Sequence, residues 1–267
     1  MKKYISFFRI RFINGLQYRA AAAAGVVTQF TWGFMEILLF RAFYQSGSQD
    51  FPMTFPALVS YVWLQQAFLA LFMTWFWEAE LFDSITTGNV AYELCRPIRL
   101  YNMWFVRGLA VRLSKAVLRC IPVLFLSLLL PPPFKLLLPG GLMTALMFLL
   151  SMILGTLVVV AFGMLVYMSV FYTISSQGIK LMVTSLSEFL SGAVIPLPFL
   201  PDGIRQAVEL LPFASMQNVP FRIYSGDIYG ITMVKCLGLQ IFWLFALILA
   251  GRLLESRALK RVIIQGG

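Results

Sequence analysis

Between Leu142 and Tyr172 the chain runs without a single charged side chain. A helix crossing a bilayer needs only about 20 apolar residues, so this stretch is longer than one span and implies tilt or projection from the membrane. Five other stretches have similar character: about 20–43, 56–77, 116–136, 178–199 and 234–254. Composition agrees: 60% of the 267 residues are hydrophobic and 12% charged, and mean hydropathy is +0.84. A soluble domain would carry roughly 25% charged residues. The expected fold class is an all-α polytopic membrane protein with six transmembrane helices, residues 1–267 forming a single transmembrane domain.

Basic residues set the orientation. Net charge is +10, from 21 Lys and Arg against 11 Asp and Glu. Lys2, Lys3, Arg9, Arg11 and Arg19 precede the first span, and Arg96, Arg99, Arg107, Arg112, Lys115 and Arg119 cluster between the second and third. With the N-terminus inside, these face the cytoplasm together with Lys180, Arg252, Arg257, Lys260 and Arg261, while Arg41, Lys135, Arg205, Arg222 and Lys235 fall outside or in the outer half. The excess of positive charge inside predicts two cytoplasmic termini in a plasma membrane. It also makes anionic lipid, not nucleic acid, the partner that the charge implies.

Residues 1–19 lack the uninterrupted apolar core of a signal peptide. Ile5, Phe8, Phe12 and Leu16 form a helical stripe with Arg9 close by, which predicts an interfacial helix. The chain has no histidine, no GxxxxGK[ST], GxSxG or HExxH motif, and no CxxC among Cys95, Cys120 and Cys236. No catalytic or metal site is therefore expected, and energy for any active process must come from another chain.

Two connecting segments are unusual. Residues 78–115 open on Glu78, Glu80 and Asp83, read as acids at a helix start, and continue as a short amphipathic helix bearing Leu81, Phe82 and Ile85 that ends at Gly88 as a C-cap. Arg96 and Pro97 close the next short element. Residues 195–233 are too apolar for an open outer loop. Asp202–Leu211 is read as a short amphipathic helix with Asp202 as N-cap and a stop before Pro212. A helix held along the membrane on a protein without a motor suggests a docking element.

Two carboxylates fall within predicted spans: Glu36 and Glu188. A charge at the centre of a spanning helix costs about 2.5–3.5 kcal/mol on insertion scales, which makes both candidates for a transport path, with a paired structural glutamate as the alternative. Phe171, Tyr172 and Phe189 can line a path or simply pack. Gly155 and Gly163 share a helix face and allow close helix approach.

The pattern Gly88-x-Val90-x-x-x-Leu94-x-Arg96-Pro97 resembles a stretch of ABC-2 type transporter permeases, above all the six-span bacterial subgroup found as paired permeases. A second likeness comes after the fifth span: Ser191-Gly192, then Pro196, Pro198 and Pro201, then Leu211-Pro212-Phe213, then Ile223-Tyr224-x-Gly226, similar to the family's broken fifth span and re-entrant outer hairpin. The resemblance implies a permease subunit of an ATP-driven exporter in a bacterial inner membrane. It implies two permeases, identical or related, pairing across spans one and five. It also implies separate P-loop ATPase subunits that carry ATP and Mg. The ATPase contact is expected at Leu81, Phe82, Asp83, Ile85 and Gly88, with Arg96 pairing ATPase acids or lipid phosphates. The expected cargo is a hydrophobic or amphipathic compound. Export of polysaccharide or glycolipid, and a membrane-embedded enzyme or assembly scaffold, are the alternatives.

Overall fold

The protein is described here by a computed structural model covering residues 2–47, 51–173 and 176–261. Among the described residues it is helical throughout, without strands. Three helices among the described residues are long and apolar enough to cross a membrane: α2 (Arg19–Gln45), α8 (Leu142–Val170) and α12 (Gly230–Ala258). Half of the most apolar window of α8 is buried inside the protein, against 17% for α2 and α12, so α8 is the central helix and the other two turn most of their surface outward. α8 and α12 form the most extensive helix pair. Gln240 on α12 fastens it: its Nε2 donates to the carbonyls of Ser151 (3.2 Å) and Ser215 (2.8 Å), and its Oε1 accepts from Ser151 Oγ at 2.9 Å. Such interhelical bonds contribute about 0.6–2 kcal/mol each in a membrane, where apolar burial alone gives little preference.

The other three predicted spans take different forms. The second is broken: α3 (Phe55–Ala67) stops at Phe68 and resumes as α4 (Leu69–Phe72). Every residue from Leu58 to Ala67 is buried, so α3 lies among its neighbours with no lipid-facing side. The third begins far earlier than expected. α7 runs from Leu100 to Leu129 as one helix, so residues 100–115 are helix, not connector, and the proline run Pro131–Pro133 lies beyond its end. Charges in its first two thirds hid this helix from a hydropathy reading. α1 (Lys2–Gly15) packs along this half of α7, from Lys3 Nζ donating to Pro97 O at 2.6 Å to Gly15 lying against Ser114.

Between the second and third lies the expected pair of short helices, α5 (Ala79–Thr86) and α6 (Val90–Leu94). Gly88 separates them at φ +77°, a conformation that a residue with a Cβ adopts only with strain.

The fifth predicted span is α9 (Ser176–Leu190), and its break comes at Gly192, before the prolines. Gly192 has φ +77°; its N–H bonds to Phe189 O and the N–H of Ala193 bonds to Glu188 O. This paired closure ends helices at a left-handed glycine. The prolines then shape the next stretch of chain: a 3-10 turn at Leu197–Phe199, flanked by Pro196 and containing Pro198, and α10 (Asp202–Glu209) behind Pro201. Asp202 is the first helical residue, not the N-cap; its carboxylate pairs with Arg205 at 2.7 Å. Past Pro212 the chain turns inward, and α11 (Asn218–Tyr224) packs on α8 and α3, with Asn218 through Phe221 buried. Gly155 makes this possible: a Cβ there would sit 2.2 Å from Met216 O. Gly163 has no such neighbour, so one of the two small residues carries the close approach.

Candidate functional site

α2, α3 and the end of α9 enclose a cavity of about 1060 Å³. Gly33 lets α2 and α3 meet; a Cβ there would lie 2.8 Å from Gln66 Cγ and 3.1 Å from the Trp63 ring. The same face of α2 carries Gln29 and Glu36, and α3 supplies Gln65 and Gln66. Glu188, the third residue from the end of α9, completes the polar lining. Glu36 and Glu188, distant in sequence, thus share one cavity. Phe189 does not; it is exposed and outside the lining.

Hydrogen bonding in this cavity is incomplete. Gln66 Nε2 donates to Glu36 Oε2 at a long 3.5 Å, and Gln65 Nε2 donates to Ala193 O at 2.5 Å. Glu36 Oε1, Gln65 Oε1 and both amide atoms of Gln29 are buried without a partner among the described residues. An unsatisfied buried polar atom costs about 1–3 kcal/mol, and native structures tolerate few of them. Around this polar centre stand Trp32, Met35, Leu39, Trp75 and Val194, all strongly exposed. The cavity is amphipathic, with an open apolar rim and a polar interior able to accept and donate hydrogen bonds.

The break in α9 is held in place from the second segment. The Tyr61 hydroxyl lies 3.4 Å from Gly192 O and 3.3 Å from Asn218 Oδ1, fully buried. Arg222 pairs with Glu209 and Asp227, tying α10 to α11.

The second feature is the α5–α6 segment. Leu81 and Phe82 are each 1% exposed, because α5 lays its apolar face on α8. Phe82 packs on Tyr167 at 4.9 Å between ring centroids, and Lys180 Nζ lies 3.9 Å from the Phe82 ring centroid. The expected docking role of Leu81 and Phe82 therefore needs correction: the faces left open are those of Asp83, Gly88, Tyr92 and Arg96, with Ile85 partly covered. Glu78 and Glu80 stand at the start of α5 as expected, Glu78 largely buried and Glu80 exposed. Both bind Arg107 of α7, and the Glu78 N–H donates to the Tyr167 hydroxyl at 3.1 Å. The hydrogen bond from Arg107, then its charge, holds the Glu80 carboxyl below its ordinary pKa.

The family profile described as ABC-2 family transporter protein matches residues 30–266. The chain belongs to the ABC-2 transporter family. It is a membrane permease component of an ABC transporter. No curated protein matches the chain significantly.

Five working residues of this ABC-2 permease, Tyr61, Gln65, Gln66, Arg112 and Gln240, escaped sequence reasoning. Tyr61 and Gln240 looked like ordinary span residues. Gln65 with Gln66 carried a usable signal, since two adjacent amides in an apolar run must find partners or a cavity. Arg112 was counted as a cytoplasmic charge, but it is 8% exposed, and its Nη1 donates to Leu71 O and Met73 O, both at 2.9 Å. It caps the carbonyls where α4 ends.

Proposed function

We propose that this permease is one half of an ATP-driven exporter, with six membrane segments, both termini in the cytoplasm and the α2–α3–α9 cavity as its share of the translocation path. The carrying observation is the set of unpartnered buried polar atoms on Gln29, Glu36 and Gln65 inside an apolar rim. A second permease, identical or related, closes the open side along α2 and α9. The cargo is a hydrophobic or amphipathic compound, preferably cationic, whose polar group meets Glu36, Glu188 and the three glutamines. P-loop ATPase subunits, which supply ATP and Mg, dock on the open face of α5 and α6 around Asp83, Tyr92 and Arg96. Arg107, which bridges Glu78 and Glu80, carries the movement into α7.

The test is transport by proteoliposomes holding the permeases and their ATPase. Glu36→Gln and Gln29→Leu are expected to lower uptake of cationic amphipaths at least tenfold while ATP hydrolysis continues. Unchanged uptake by both variants across a panel of such compounds would sink the assignment of the path.

A further inference from the structure

A separate cavity of about 390 Å³ lies where the end of α1, the first turn of α2 and the middle of α7 meet. Among the described residues three cations line it, Arg11, Lys115 and Arg119, and no carboxylate does. None of the three takes part in an ion pair among the described residues. Arg119 lies over Gly25, where a Cβ would be 2.8 Å from its Cζ, and its Nε is buried without a partner. Lys115 Nζ rests 3.0 Å from the centroid of the Phe76 ring. The acids whose fields reach Lys115 and Arg11 are Glu78 and Glu80, and Arg107 holds both. The first turn of α2 adds to the positive potential, since Tyr18 gives it no side-chain cap and its leading N–H groups carry the positive end of the helix dipole.

Three like charges held together around a partly buried space repel one another, and their closeness is explained by an anion that belongs between them. Geometry narrows its kind. Beyond Leu118, which faces the cavity, the same side of α7 carries Ile121, Phe125 and Leu129, at spacings of three, four and four, and all three are exposed. A pocket of cations thus opens onto an apolar track that begins beside it. A free phosphate or a nucleotide has no use for that track, whereas a lipid fills both parts.

We propose that this cavity binds the phosphate of an acidic glycerophospholipid, with Arg119 and Lys115 as its main ligands, Arg11 of α1 closing over it, and an acyl chain lying along Ile121, Phe125 and Leu129. Arginine offers a planar fork matched to phosphate oxygens and lysine a compact charge. Basic pockets between membrane helices are known seats for such headgroups. The bound lipid joins α1 to α2 and α7, fixing the amphipathic helix at the membrane surface through a molecule the membrane itself provides.

The experiment uses the full chain purified in neutral detergent. Native mass spectrometry and thermal unfolding are monitored with phosphatidylglycerol, phosphatidylcholine or sn-glycerol 3-phosphate added. Phosphatidylglycerol is expected to bind at least tenfold more tightly than phosphatidylcholine and to raise the unfolding midpoint. Lys115→Gln with Arg119→Gln is expected to abolish that preference, and Arg257→Gln, an exposed charge on α12, to preserve it. If the double variant fails to fold, Arg11→Gln at the cavity edge is expected to weaken the preference at least threefold, and Lys115→Arg to keep it. Equal binding of both lipids by the unaltered chain would overturn the proposal, as would an Arg11→Gln or double variant with full preference. Stabilisation by glycerol phosphate equal to that by the lipid would replace the lipid with a free anion.

Discussion

The Tyr61 hydroxyl reaches the carbonyl of Gly192, joining the most deeply buried helix to the point where α9 breaks. The same oxygen lies beside Asn218 of α11, so one hydroxyl registers α3, the end of α9 and α11 against one another. Tyr61→Phe keeps the ring and its edge contact with Phe221 but removes this link. It is expected to cost about 0.5–1.5 kcal/mol, read as a lower unfolding midpoint in detergent. Gly192→Ala should cost more, because φ +77° opposes a Cβ that would also lie 3.0 Å from the Tyr61 hydroxyl.

Gly155 and Gly163 provide an internal control. Gly155→Ala would drive a Cβ into the Met216 carbonyl, a backbone atom with little freedom to move, and is expected to destabilise by about 1–3 kcal/mol. Gly163→Ala meets nothing within 4 Å and should be neutral or stabilise α8 by up to about 1 kcal/mol. Thermal unfolding of the two variants side by side distinguishes them.

Arg112→Met removes the donor that covers two carbonyls at the end of α4. Hydrogen bonds from a charged donor contribute about 1.5–3 kcal/mol each, so this variant should unfold earlier than Arg112→Lys, which can still reach one of them. Reversal of that order would show that the bonds to the two carbonyls do not offset the cost of burying a charge there.

The Arg107 bridge predicts a dependence on pH. Because the folded pKa of Glu80 is depressed, its pairing stabilises the protein above the unfolded value of about 4.3 and is lost as pH falls through the folded pKa. The difference in unfolding midpoint between the unaltered chain and Glu80→Gln should be present at pH 7 and close below about pH 4. The effect should be small, since Glu80 is 73% exposed and solvent screens it.

How much the sequence revealed depended on the kind of signal. Apolar runs located α2, α8 and α12, and Gly88 correctly divided α5 from α6. Periodicity in α5 also identified the apolar face bearing Leu81 and Phe82. It carried no information on what covers that face, and the cover turned out to be α8 of the same chain. The start of α7 was hidden for a related reason. Hydropathy counts a charge as exposed to water, whereas Arg107 is consumed by two acids and Arg112 by two carbonyls, and Lys115 lies over a ring. In the candidate path, single-residue chemistry singled out Glu36 and Glu188, but only the fold places Gln29 and Gln65 with them.

The burial of α3 on every side has a consequence for how this protein is made. A segment that meets no lipid in the finished molecule gains little from dissolving alone in the bilayer, and its Gln65 and Gln66 would be stranded there. Its neighbours α7 and α11 are synthesised later, so α3 must be sheltered beside α2, where Gly33 leaves room for it, until they arrive. The contact between Gly33 and Trp63 is thus an early assembly step, and crowding it should harm insertion before it harms transport.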